Sequence, residues 1–233
     1  MANPATLLHE LLIKFRTPRG RLPLDIRRES FGDDAGVAKA QRLAMAHISA
    51  IEELLKGLDG TGRRVAPYEK ALSRWQNWVN VYPSCWVHQA DSDFMDNEAD
   101  LDLLAALSDM LDTVIPESSE DDRQSLGDVL KLIRELLTEE SDLPKDLQRH
   151  IFGLLTHAQT CLDEYATFGD FELRAAMDRL LVSVNLASHV SKNPKWQTAK
   201  EKFWYPTMTG VIVGAPSVVI SAITAANAAS GAG

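Results

Sequence analysis

His157 and Cys161 stand one helical turn apart, with Glu164 a further turn on and His150 two turns back. Imidazole, thiolate and carboxylate all bind zinc, and this spacing stacks them on one side of a helix. A closed zinc site needs four ligands, and no second His/Cys pair supplies them. Ala158 and Leu162 set Cys161 beside an apolar stripe, so it reads as a buried structural thiol next to a partly exposed histidine. Asp91-Ser92-Asp93-Phe94-Met95-Asp96-Asn97-Glu98 opens like a calcium loop. However, Met95 takes a place that needs oxygen, Asp96 a place that needs glycine, and Asp102 stands where the bidentate Glu belongs. The run reads as a solvated acidic turn. Gly57-Leu58-Asp59-Gly60-Thr61-Gly62 lacks the Gly-Lys-Ser/Thr ending of a phosphate cradle and reads as a helix stop. No metal or cofactor is expected.

Arg42-Leu43-Ala44-Met45-Ala46-His47 resembles the arginine–histidine motif of the HEPN ribonucleases, which are small helical proteins. The resemblance covers six residues and implies an RNase, with Arg42 and His47 as its catalytic pair and a dimer to bring two motifs together. Leu43 departs from the pattern, since a polar residue usually follows the arginine in that family. A straight helix also turns Arg42 and His47 about 140° apart. Cys85 and the serines lack the glycine-framed turn of a nucleophile, so a non-catalytic function is the expectation.

The residues Phe203 to Gly233 carry no charged side chain, although 24% of the chain is charged. Lys195, Lys200 and Lys202 precede this stretch, interleaved with Trp196 and followed by Phe203, Trp204 and Tyr205. Cations with amphipathic rings suit the headgroup layer, so these residues are the expected membrane interface. At about 100° per residue, Gly210, Gly214, Ser217, Ser221, Thr224, Ala225 and Ala228 share one helical face. Such a small-residue face lets helices approach closely in lipid and is the expected self-assembly surface. Seven Val and Ile residues favour insertion by only about 2–4 kcal/mol, and Pro216 disturbs the middle. Insertion of a lone helix is marginal, which suggests a masked tail that enters lipid after release or oligomerisation. The alternative is a soluble interaction module with its tail packed on the bundle.

Helical periodicity dominates elsewhere, and the fold class is all-α, a bundle of about seven helices ending in a hydrophobic, small-residue-rich segment. Leu7, Leu8, Leu11, Leu12 and Phe15 predict an amphipathic first helix rather than a signal peptide, followed by a Pro/Gly/Arg-rich connector over 17–36. Further helices are expected over about 37–56, 67–81, 98–115 and 120–138. Asp142-Pro144, Gly169-Asp170 and Asn193-Pro194 punctuate a helical hairpin and a short basic, aromatic helix. Trp75 and Trp78 are expected in the core. The acidic break at 91–97 divides 1–90 from 91–202, with 203–233 as the tail.

Net charge is −9, which disfavours nucleic acid as a partner. Twelve acidic residues and no basic one lie between Asp91 and Asp122, whereas Lys14, Arg16, Arg19, Arg21, Arg27 and Arg28 crowd the N-terminal stretch. That stretch is either solvated or suited to anionic lipid or the acidic middle of another copy. Two cysteines and the cationic flank before the tail point to a cytoplasmic bulk. Membrane lipid, a second copy and a protein partner of unknown identity are the expected partners.

Overall fold

The computed structural model describes residues 3–59, 61–82, 86–88, 95–115 and 118–208, the last seven of them by backbone alone. Among the described residues there are nine helices and no strand. The chain is all-α, as expected, and falls into two compact units that meet at Val114–Ile115.

The first unit is built on α1 (Pro4–Phe15), which packs against each of the other four helices. These are α2 (Pro23–Phe31), α3 (Asp34–Leu58), α4 (Ala66–Asn80) and α5 (Glu98–Asp112). Asn3 starts α1: its side-chain oxygen accepts from Ala5 and Thr6 N–H at 2.9 and 3.0 Å. Its amide donates to the Ser108 carbonyl and the Asp112 carboxylate, tying that cap to the last turns of α5. Leu8, Leu12, Ile48, Ile51, Trp75, Trp78, Leu104 and Leu107 fill the core, as their spacing predicts.

The connector expected over 17–36 instead contains α2. Its buried residues are Pro23 and Arg27, so it has no apolar stripe for periodicity to detect. Arg27 is fully buried and donates to the carbonyls of Trp78 and Val79 at 2.9 and 2.8 Å. Those carbonyls lie at the end of α4, where Val81 takes a left-handed conformation (φ 59°) and its N–H turns back to the Asn77 and Trp78 carbonyls. Three other basic residues of this stretch meet acids of their own chain. Arg16 pairs with Asp96 and Glu98, Arg21 with Glu29 and Arg28 with Asp34.

The second unit is a four-helix bundle. It comprises α6 (Glu120–Glu139), α7 (Lys145–Asp163), α8 (Tyr165–Val190) and α9 (Lys195–Met208). Each packs on the next, and α9 closes the ring against α6, the arrangement of an up-down-up-down bundle. Ser119 and Asp122 form a reciprocal capping box at the start of α6. Gly169 breaks α8 with φ 71° and ψ −177°, so the hairpin turns through a short segment over Tyr165–Phe168 before the long run from Asp170. Glycine is used there because a side chain disfavours that φ. Asp170 is buried and accepts from Ser118 N–H at 2.9 Å and Tyr165 O–H at 2.6 Å, which fixes the turn against the entry to α6.

Candidate functional site

Helix α9 carries the residues the sequence marks as the expected membrane interface. Asn193 opens α9, its side-chain oxygen accepting from Lys195 N–H at 3.0 Å. Lys195 is exposed and its ammonium donates to Glu139 at 2.8 Å, a contact that raises the pKa of the lysine. Lys200 is half-buried. Trp196 is placed differently from a headgroup anchor: it is 0% exposed and belongs to the core shared by α6, α7 and α8. Ala199 accompanies it, one turn along the same face.

The polar edge of Trp196 ends on a carboxylate. Its indole N–H donates to Glu140 Oε2, which also accepts from the Ser191 hydroxyl at 2.8 Å. Asp142 N–H donates to the other oxygen, Oε1, at 2.7 Å. Gln148 Nε2 of α7 closes on the same turn, donating to the Glu140 and Leu143 carbonyls at 3.3 and 3.0 Å. Glu140 is only 8% exposed, and its bonding partners among the described residues are N–H and O–H donors, none a cation. Burial pushes its carboxyl up. The donors of Asp142, Ser191, Trp196 and Leu143 outweigh this and hold it below the usual glutamate range. One carboxylate thus joins the end of α6, the end of α8 and the start of α9.

The bundle topology sets Lys195 at the end of α9 away from the uncharged segment. Lys195 lies at the end that carries the α6–α7 turn, as its bond to Glu139 shows. Met208, thirteen residues on, lies about 20 Å further along the helix axis, towards the end that carries Asp170. The acidic first turn of α6, Glu120, Asp121 and Asp122, belongs to that end. The side chains of Lys202, Phe203, Trp204 and Tyr205 lie outside what is described, although α9 runs through them. Gly210, Gly214, Ser217, Ser221, Thr224, Ala225 and Ala228 all lie outside the described residues. Among the described residues no helix is long and apolar enough to cross a membrane.

The remaining candidates are placed as follows. Arg42 is exposed and His47 is buried on opposite flanks of α3, so one copy of the chain does not assemble them into a site. His157 does sit beside Cys161, with 3.9 Å from Nε2 to Sγ, and 3.4 Å from the Glu172 carboxylate. Burial, with Glu172 adding to it, pushes the Cys161 thiol up to about 12, so it is protonated and a poor metal ligand. Among the described residues no group of three or more His, Cys, Asp or Glu side chains could hold a metal ion. Half of the Asp91–Glu98 run, 91–94, lies outside the described residues, and its Met95 is fully buried.

Comparison with protein-family models, with curated proteins and with solved structures found no match. The Glu140 cluster had no sequence signal. A glutamate at a helix end is commonplace, and its two side-chain donors come from residues 51 and 56 positions away.

Proposed function

We propose that this chain is a non-catalytic helical module that associates with a membrane through residues 203–229. It self-assembles along the small-residue face of that segment, and its bulk lies in the cytoplasm. Assembly of several copies would turn a marginal segment into a membrane-permeabilising effector. The carrying observation is the uncharged stretch Phe203–Gly233, joined directly to a helix bearing Lys195, Lys200 and Lys202.

The test is vesicle flotation of the full chain with release of an entrapped dye. Val213→Asp with Val219→Asp adds about 5–7 kcal/mol to the cost of insertion if both sit near the bilayer centre, more than the segment gains. The double variant is expected to lose flotation and release together. Equal flotation of both proteins would rule out the tail as the membrane element.

A second reading has its own observation. Val182, Leu186 and Val190 recur at one-turn spacing on α8 and are 69%, 51% and 45% exposed. An exposed apolar stripe of this kind also fits a soluble interaction module that takes a partner helix. Flotation by neither protein favours it.

A further inference from the structure

Trp196 is the one large apolar side chain that the described part of α9 contributes to its bundle, and Ala199 is the other buried residue there. An interfacial helix with Lys195, Lys200 and Lys202 at its polar edges would lay this same face into lipid. The face cannot be in the bundle core and in the headgroup layer at once.

Topology strengthens the conflict. With α9 docked, Lys195 and Met208, six residues into the uncharged segment, lie about 20 Å apart along the axis. A bilayer meeting the segment end-on meets the acidic first turn of α6 before it meets Lys195. Lys195, the Trp196 ring and the uncharged segment reach one surface together only when α9 leaves the bundle and lies flat. The core left behind still holds Leu126, Leu130, Ile133, Ile151, Leu155 and Leu180 on three helices, so release does not require the bundle to unfold.

What resists release is the Glu140 cluster. Undocking α9 removes the Trp196 donor from a carboxylate whose other ligands stay with α6, its following turn and the end of α8. We propose that Glu140 and Trp196 form a catch that keeps α9 docked and withholds it from lipid, so that membrane binding requires the catch to open. The proposal rests on the membrane reading above and adds its regulation. Any agent that competes for the Trp196 face, anionic lipid included, shifts the equilibrium by mass action.

Backbone amide exchange of α9 in the full chain reads the catch without reference to membranes. Flotation on vesicles of phosphatidylcholine and phosphatidylglycerol reads its consequence. Glu140→Ala and the milder Ser191→Ala are expected to speed α9 exchange while α6, α7 and the Asp170–Val190 run of α8 stay protected. Each should also lower the lipid needed for half-maximal flotation, by about tenfold for Glu140→Ala. Unchanged α9 exchange in both variants would overturn the catch. Faster exchange with unchanged flotation would overturn its control of binding and leave the membrane reading standing. Faster exchange in proteins that never float, the parent included, would overturn the proposal together with that reading.

Discussion

The guanidinium carbon of Arg27 lies 3.9 Å from the centroid of the Phe15 ring. The Trp86 ring is 4.5 Å away, and Phe31 meets Phe15 edge-on at 5.5 Å. The first unit therefore keeps a cation in an aromatic setting, with carbonyls at the end of α4 in place of a carboxylate. Ring faces and aligned carbonyls both carry negative potential, which offsets part of the desolvation cost. Burial pushes Arg27 down to about 9, which leaves it charged at neutral pH.

Replacing this arginine tests that account. Arg27→Ala is expected to destabilise the first unit by about 3 kcal/mol or more, since it opens a cavity and removes the guanidinium donors to the Val79 and Trp78 carbonyls. Arg27→Lys keeps the charge but loses the planar fork and the stacking, and is expected to cost about 2 kcal/mol. Urea unfolding followed by signals from the first unit measures both. A lysine variant as stable as the parent would mean that charge alone suffices.

Acidification should undo the seam of α9 in a definable window. The folded-state pKa of Glu140 lies below its unfolded value, so its contribution is fully present above the usual glutamate range and is lost as pH falls through the depressed value. The charged neighbours there are Glu139, paired with Lys195, and Asp142, which offers its N–H. Exchange rates of α9 amides, corrected for intrinsic pH dependence, should rise in acid before those of α7. Glu140→Gln should flatten that step, because its amide oxygen accepts a hydrogen bond at every pH.

Asp178 responds in the opposite sense. Burial pushes its carboxyl up to about 6, and the attraction of Arg174 only partly offsets this. The folded state binds the proton more tightly than the unfolded chain, so stability falls as pH rises from about 4 to 6. Asp178→Asn is expected to be more stable than the parent at pH 7 by about 1–2 kcal/mol and to lose that advantage near pH 4. Denaturant midpoints at the two pH values decide it.

Cys161 should be inert in the folded protein. Its thiol is fully buried and pushed up to about 12. A maleimide at pH 8 is expected to label Cys161 only in denaturant, and zinc is expected to leave the unfolding temperature unchanged. Rapid native labelling at Cys161, located by peptide mapping, would contradict this placement.

Much of the fold was readable in the chain because most helices bury a regular stripe. Ala40, Ala44, Ile48, Ile51 and Leu55 are all buried, as are Leu101, Leu104, Leu107 and Leu111. Gly169 breaks the helical run where it was expected to. α2 escaped because an arginine anchors it, and a basic residue in a basic stretch resembles a solvated one. The burial of Trp196 was not legible for a related reason. Lysines around a tryptophan describe an interfacial helix and a helix that closes a bundle with one large knob equally well, and the carboxylate that receives the knob is 56 positions away.

The closing position of α9 also has a meaning in time. Helices α6, α7 and α8 leave the ribosome before Trp196 does, and they wait with an open groove until α9 arrives. The uncharged segment follows immediately behind. Because α9 packs on both α6 and α8, its docking is the last step in closing that bundle.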